Sequence, residues 1–230
     1  MDFILEEKNK SGHDNAYNSS KEGSGIYCLS IIGQIEGHYA LDSNTKTTKY
    51  DHVIPLLVSL EENENVDGIL IILNTLGGDV EAGLAIAELI SSLSKPTASI
   101  VLGGGHSIGV PLAVSAKRSF IVPSATMTIH PVRTSGMILG VPQAFDYLNK
   151  MQDRIINYII KHSGVKESYL REIMHRTDIL VNDIGSILDG ESAVKCGLID
   201  QIGGVKEAID YLKSFSNECK IGCKTEKNMI

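Results

Sequence analysis

The chain has 230 residues, of which 43% are hydrophobic and 5% aromatic, and it contains no tryptophan. This length favours one domain, and a core of Ile, Leu, Val and Ala suits helices packed on a central sheet better than a β-sandwich. The formal charge of -7 and the lack of a basic stripe argue against a nucleic-acid-binding protein, because phosphate neutralisation needs clustered Lys and Arg.

The two ends of the chain are polar. We expect a disordered N-terminal lead at residues 1–24 and a flexible tail at 216–230, which leaves a domain at 25–215. The lead lacks the apolar segment of a secretory signal, and no apolar run approaches the ~18–20 residues of a membrane span. We therefore expect a cytoplasmic protein without a membrane span. The four cysteines do not form a zinc pattern, so neither a metal nor a cofactor is expected.

Strand and helix patterns alternate along the domain. Apolar runs predict strands at residues 26–32, 68–73, 97–102, 118–122 and 126–129, and helical spacing predicts helices at 52–61, 80–93, 107–116, 141–163, 166–175, 191–196 and 205–214. The unbroken run at 68–73 is typical of a strand that a parallel sheet buries on both faces. The alternation predicts an α/β fold built from βαβ units around a largely parallel sheet.

A serine lies in the turn between the strand at 97–102 and the helix that follows. Residues 105–109 read Gly-His-Ser-Ile-Gly, and small residues on both sides of Ser107 allow the sharp bend that presents a nucleophile in G-x-S-x-G motifs. The alternative is a glycine-rich turn whose serine caps the helix. The pentapeptide alone does not separate these interpretations.

A serine nucleophile needs a base within hydrogen-bonding reach and amides that stabilise an oxyanion. His130 follows the predicted strand at 126–129, where a side chain can reach a site at the sheet edge, although a lone histidine there is more often structural. Residues 74–78, Asn-Thr-Leu-Gly-Gly, predict a turn in which paired glycines aim a backbone N–H at a substrate. An ordinary or phosphate-binding turn is the alternative, but no G-x-x-x-x-G-K pattern is present.

Taken together, these segments resemble the ClpP-type serine peptidases. Residues 74–78 are similar to the family's N-S-P-G-G, residues 103–109 to its small-residue turn with S-M-G, and residues 127–131 to its M-I-H-Q-P, in the same order and at matching spacings. Residues 197–200 resemble its G-L-[IV]-D. The resemblance spans roughly residues 26–212 and implies the ClpP/crotonase-like ββα superhelix.

The resemblance also implies roles for individual residues. Ser107 would be the nucleophile and His130 the general base, and the N–H groups of Gly78 and Ile108 would form the oxyanion hole. The triad acid would lie in the segment 176–186, where Asp183 is favoured and Asp178 is the alternative. The implied substrate is a peptide or unfolded protein, and the implied assembly is a homo-oligomeric ring. The strand and helix after His130 suit pairing with a neighbouring subunit or an extended substrate.

Several positions depart from the main family. Thr75-Leu76 replaces Ser-Pro, and His106 replaces a small residue before the serine. These departures resemble the divergent branch of translocation-enhancing proteins, so dependence on an ATPase partner stays open. Three other interpretations also stay open: a crotonase-like acyl-CoA enzyme, a non-catalytic assembly protein of the same fold, and a serine–lysine dyad that uses Lys117.

Overall fold

A computed structural model describes the backbone of residues 25–134, 141–177 and 184–226. The strands are β1 (Ile26–Glu36), β2 (Thr47–Lys49), β3 (Gly68–Gly78), β4 (Thr97–Gly105), β5 (Arg118–Ile121), β6 (Thr126–Ile129), β7 (Ser186–Asp189) and β8 (Gln201–Ile202). The helices are α1 (Tyr50–Glu62), α2 (Val80–Ser92), α3 (Gly109–Val114), α4 (Pro142–Lys161), α5 (Glu167–Met174), α6 (Gly190–Lys195) and α7 (Val205–Glu226).

The main sheet has the strand order β2-β1-β3-β4-β5-β8, and each of these pairs is parallel. Beyond Val101, β4 leaves β5 and pairs through Gly104 with β6, which forms an antiparallel pair with β7. The predicted α/β fold with a largely parallel sheet is therefore confirmed. The switch of β4 from one neighbour to another brings β6 beside the end of β4.

Helices bury both faces of the central strands. On β3, Ile69, Ile71 and Leu73 belong to the large core cluster shared with α1 to α6, whereas Leu70 faces a smaller cluster with Ala208 and Leu212 of α7. Because successive side chains of a strand point to opposite faces, an unbroken apolar run fits a strand covered on both sides. The sequence-based interpretation of residues 68–73 is confirmed.

The strand ends correct the sequence-based prediction. We predicted a turn at 74–78, but β3 continues through these residues to Gly78, with Gln34 of β1 paired to Gly77 and Ile35 to Gly78. Likewise β1 continues past Gly33 to Glu36, and β4 continues to Gly105. Strand pairing compensates here for the low strand propensity of glycine, and irregular register follows Gly33 and Leu73.

Most helix predictions are confirmed to within a few residues, with two larger differences. The helix after the serine begins at Gly109 and ends at Val114, so it is shorter than the predicted 107–116. In contrast, α7 runs through Glu226, so the backbone of much of the polar segment at 216–230 is helical. Three strands of two to four residues, β2, β7 and β8, were not predicted because their apolar patterns are too short. The N-terminal lead lies outside the described residues.

Helix α4 is anchored to α2. Arg154 donates two hydrogen bonds to the Glu81 carboxylate, at 2.6 and 3.0 Å, and the Tyr158 hydroxyl donates to the buried carbonyl of Ala87 at 2.7 Å. These contacts fix the C-terminal half of α4 over the site described below. Across the described ranges, no helix combines the length and apolar character needed to cross a lipid bilayer.

Candidate active site

Three segments meet where β3, β4 and β6 end. The turn after β4 lies between the other two strands: the His106 N–H donates to the Thr75 carbonyl at 3.1 Å, and the Ser107 N–H donates to the Thr128 carbonyl at 2.9 Å. Both bonds join residues far apart in sequence. They fix the serine turn relative to the glycines of β3 on one side and to the strand that precedes His130 on the other.

Ser107 has a left-handed backbone conformation, with φ of 56°. Among the described residues it is the one non-glycine with positive φ, a conformation that side chains other than glycine rarely adopt and that clusters at functional sites. The N-cap position of α3 is Ile108, so the alternative in which Ser107 caps the helix does not hold. The sharp strand-to-helix bend has the geometry of a nucleophile elbow.

Ser107 and His130 line the same cleft. Its volume is about 400 Å³, and its wall also includes Gly78 and Ile108, so the predicted nucleophile, base and oxyanion-hole residues share one cavity. Most of the remaining wall is apolar, with Arg133 and Gln34 as polar exceptions. The apolar wall consists of Val80, Val110, Ile129, Pro131, Val132, Ile155, Ile159 and Met174.

The His130 ring is held by the backbone of the next residue. Its Nδ1 lies 2.7 Å from the Pro131 carbonyl oxygen. A carbonyl only accepts hydrogen bonds, so Nδ1 carries a proton and, in the neutral ring, the lone pair is on Nε2. This is the tautomer that a histidine base needs if it is to accept a proton through Nε2.

The two oxyanion-hole candidates have backbone positions suited to that role. The Asp79 N–H donates to the Ile35 carbonyl at 3.0 Å, and because successive N–H groups of a strand alternate, the Gly78 N–H points away from β1. Gly78 has φ of 150°, and a Cβ there would lie 2.2 Å from the Ile35 oxygen, so only glycine fits. Within the described part of the chain, the Ile108 N–H has no acceptor, whereas those of Gly109 and Val110 bond back to His106 and Ser107.

Side chains that the sequence did not single out as site residues support this arrangement. The Thr75 hydroxyl donates to the Gly33 carbonyl at 2.6 Å and accepts from the Gly77 N–H at 3.0 Å. The Asn74 Oδ1 accepts from the Gly104 N–H at 2.9 Å, which joins β3 to β4 where their ladder is irregular. Gln34 lines the cleft from β1. The only sequence signal for these residues was their position next to the glycines.

His106 is the second histidine at the site. Its Nδ1 accepts a hydrogen bond from the Thr128 N–H at 3.1 Å and lies 2.8 Å from the Thr128 hydroxyl. Burial, together with the positive charge that His130 can carry, lowers the pKa of His106. The imidazole is therefore neutral at physiological pH, and it bridges the serine turn and β6.

Both predicted triad acids, Asp178 and Asp183, lie outside the described residues. The two ends of their segment are joined at its base, where the Gly185 N–H donates to the Arg176 carbonyl at 2.7 Å. Gly185 is packed against His130, since a Cβ there would lie 2.8 Å from the His130 Cβ. Of the two described residues joined at the base of the segment, Gly185 is thus the one in contact with His130.

The remaining expectations concern Lys117 and metals. The Lys117 Nζ donates to the Ser94 carbonyl at 2.5 Å, at the opposite end of β4 from Ser107, so a serine–lysine dyad with Lys117 is wrong. Among the described side chains, no group of three or more His, Cys, Asp or Glu residues is placed to hold a metal ion.

Comparison with known proteins identifies the family of the chain. The sequence model of the family described as Clp protease matches residues 24–206. A translocation-enhancing protein, TepA, of Halalkalibacterium halodurans is 52% identical over 209 residues, which is 91% of this chain and 81% of that protein. The ATP-dependent Clp protease proteolytic subunit 1 of Chlamydia muridarum is 27% identical over 58% of this chain and 69% of its own.

Among solved structures, a variant of ClpP1 from Listeria monocytogenes superposes with a TM-score of 0.63. The match covers 80% of this chain and 94% of the other, at 21% sequence identity. This similarity establishes a shared fold.

Proposed function

The chain belongs to the Clp protease family, and on that premise we propose that it is a serine endopeptidase that cleaves peptides or unfolded proteins through an acyl-enzyme at Ser107. The observation that carries the proposal is the shared cleft: a serine with a strained left-handed backbone and a histidine with its Nδ1 proton held by a carbonyl line one cavity. Family membership alone would not identify the reacting groups.

The reaction follows from the roles of these groups. The Ser107 hydroxyl attacks the peptide carbonyl, and His130 Nε2 accepts its proton, while the N–H groups of Gly78 and Ile108 stabilise the oxyanion. His130 then donates the proton to the leaving amine, and the C–N bond breaks to give an acyl-enzyme. Water, deprotonated by His130, attacks the ester, and the Ser107 hydroxyl leaves with a proton returned by the imidazole.

An aspartate would complete the catalytic triad. A buried imidazolium is stabilised by a nearby carboxylate, and Gly185, which closely follows both aspartates in the chain, packs against His130. We favour Asp183 over Asp178 as this acid. The proton stays on Nδ1, whose present acceptor is the Pro131 carbonyl, and in the assembled site the carboxylate would replace that carbonyl as the acceptor.

The cleft also bears on the substrate. Its mainly apolar wall suits an extended peptide whose bound side chains are apolar, since burial of apolar surface provides about 25 cal/mol per Å². No cofactor takes part in the proposed chemistry, because both proton transfers use His130. Whether an ATPase partner delivers the substrate does not affect these steps.

The active form would be a homo-oligomeric ring. The start of α4 exposes large apolar side chains, with Phe145 68% and Tyr147 60% exposed, next to Val141 at 42%. Adjacent exposed aromatic residues are typical of protein interfaces. A second copy of this chain is the partner that we propose for this surface.

The test is covalent labelling with a fluorophosphonate, which traps activated serines. Wild-type protein should be labelled at Ser107, whereas Ser107→Ala and His130→Ala should not be labelled. Ser92→Ala is the matched control, because this serine is exposed and its hydroxyl donates to the Leu89 carbonyl within α2. Absence of labelling in an oligomer confirmed by light scattering would overturn the proposal and favour the non-catalytic assembly protein.

A further inference from the structure

The histidine that precedes the nucleophile links the two halves of the candidate site. Its Nδ1 contacts both the N–H (3.1 Å) and the hydroxyl (2.8 Å) of Thr128. In the chain, His106 is adjacent to Ser107, and Thr128 lies two residues before His130. The contact therefore connects the turn that carries Ser107 to the strand that directly precedes His130.

The imidazole also occupies a space shaped for it. A Cβ on Gly104 would lie 2.6 Å from His106 Nε2, so the ring lies directly against a residue that has no side chain. The backbone N–H of His106 is held by the Thr75 carbonyl. Gly104 and Thr128 thus fix the ring, and Thr75 fixes the backbone of the same residue.

We propose that His106 is a positioning residue for the reaction, one that sets the distance between Ser107 and His130 through its hydrogen bond to Thr128 and that works only when its imidazole is neutral. The inference rests on the proposed function, because it assigns a role within the same site. His106 would not itself react with substrate.

The requirement for a neutral ring follows from donor and acceptor chemistry. The Thr128 N–H can only donate, so His106 Nδ1 must present a lone pair, and the proton of the neutral ring is on Nε2. A proton on Nδ1 would replace this hydrogen bond with two opposed donors. It would also place a positive charge near His130 while that residue is charged in the transition state.

Few other charges act on His106. Among the described residues, the titratable side chain that acts electrostatically on His106 is His130, which directly follows β6, and Arg133 lines the same cleft as His130. The neighbours from β3 and β4 are Thr75 and Gly104, which are neutral. Both histidines must therefore be neutral before Ser107 attacks the substrate, so the fall in reaction rate at acidic pH depends on two protons.

Two substitutions separate positioning from simple packing. His106→Asn places an amide oxygen near the position of Nδ1 and cannot be protonated, whereas His106→Ala removes the acceptor. At neutral pH we expect fluorophosphonate labelling of Ser107 to be roughly 10- to 100-fold slower in His106→Ala and within a few-fold of wild type in His106→Asn. At acidic pH values where circular dichroism shows that the protein is folded, the labelling rate should fall with pH as expected for two inhibitory protonations in wild type. In His106→Asn it should fall as expected for one.

A second measurement does not require activity. In ¹⁵N-histidine-labelled Ser107→Ala protein, solid-state NMR should show an unprotonated Nδ1 and a protonated Nε2 for His106, with the signals assigned by their loss in the Ser107→Ala/His106→Asn variant. A protonated Nδ1 at neutral pH would overturn the inference. Equal labelling of the Asn and Ala variants, or a fall in the wild-type rate at acidic pH that fits one protonation, would do so as well. If wild type is not labelled at all, the proposed function fails, while the NMR result still tests the hydrogen bond.

Discussion

Gly77 of β3 and Ser107 lie in direct contact across the candidate site. A Cβ on Gly77 would lie 2.6 Å from the Ser107 Cβ and 3.2 Å from its Oγ. Gly77 also has φ of 92°, a conformation that favours glycine. The position of the serine side chain therefore depends on the absence of a side chain at Gly77.

We predict that Gly77→Ala moves Ser107 and abolishes most of its reactivity. The added methyl group cannot fit unless the serine turn shifts, and a displacement of about 1 Å is enough for a rate loss on the order of 100-fold. The measurement is the rate of fluorophosphonate labelling. Gly164→Ala is the control, because a Cβ there meets its nearest neighbour at an ordinary 3.4 Å. Labelling of Gly77→Ala at the wild-type rate would contradict this geometry.

Thr75 should contribute through its hydroxyl rather than its methyl group. Its side chain is 1% exposed, and Thr75→Val would leave the Gly33 carbonyl and the Gly77 N–H without their partner. We expect the free energy of unfolding to fall by about 1–3 kcal/mol and labelling of Ser107 to slow, because the β3 glycines lose their anchor. Thr75→Ser keeps the hydroxyl and should retain the labelling rate. Denaturant unfolding and labelling measure the two effects, and similar behaviour of both variants would contradict the prediction.

The two aspartates can be separated by amide substitution. We predict that Asp183→Asn lowers the rate of peptide hydrolysis on the order of 10³- to 10⁴-fold, because the amide neither stabilises the imidazolium nor keeps the proton on Nδ1. Asp178→Asn should change the rate by only a few-fold, and each variant is the control for the other. The reverse result would make Asp178 the acid, and two near-normal rates would leave the Pro131 carbonyl as the partner of Nδ1.

Tyr158 should make stability fall in alkaline solution. Burial raises the pKa of its hydroxyl, which donates to the Ala87 carbonyl at 2.7 Å. Because the pKa is higher in the folded state than in the unfolded state, where it is about 10, this contribution is fully present below pH ~10 and is lost as pH rises further. Tyr158→Phe should cost about 1 kcal/mol at neutral pH.

The control for this prediction is the difference in free energy of unfolding between wild type and Tyr158→Phe. Denaturant unfolding of wild type and Tyr158→Phe is measured at neutral pH and again above pH ~10. This difference in free energy of unfolding should be smaller above pH ~10, because tyrosine loses its stabilising proton there whereas phenylalanine has no proton to lose. A difference that does not change with pH would contradict the assignment.

Much of the fold follows from local sequence pattern. The run at 68–73 predicts a strand covered on both faces, and Ile71 and Leu70 do face the two separate core clusters. The predicted C-terminal end of this strand was wrong because Gly77 and Gly78 have low strand propensity. In the structure they pair with Gln34 and Ile35 of β1, and no local sequence pattern reveals the backbone hydrogen bonds of that pairing.

For the candidate site too, some features were evident in the sequence and others only in the structure. The types and order of Ser107, His130, Gly78 and Ile108 were evident in the sequence, because each belongs to a short motif whose chemistry depends on residue type. The hydrogen bonds of His106 to Thr128 and of Thr75 to Gly33 were not, since they join strands that are distant in the chain. The hydrogen bond of His106 to Thr128 forms only because β4 pairs first with β5 and then, beyond Val101, with β6. The packing of the whole sheet decides that change of partner.

The sequence by itself therefore determined the class of fold and which residues are candidates for the reactive groups, because hydrophobic periodicity and short motifs are local properties of the chain. Only the tertiary structure decided that Ser107 has a left-handed backbone, that it shares a cleft with His130, and that a second histidine spans the two segments. The physical reason is that these features arise from contacts between strand ends, whose relative positions are fixed by the registers and the core together.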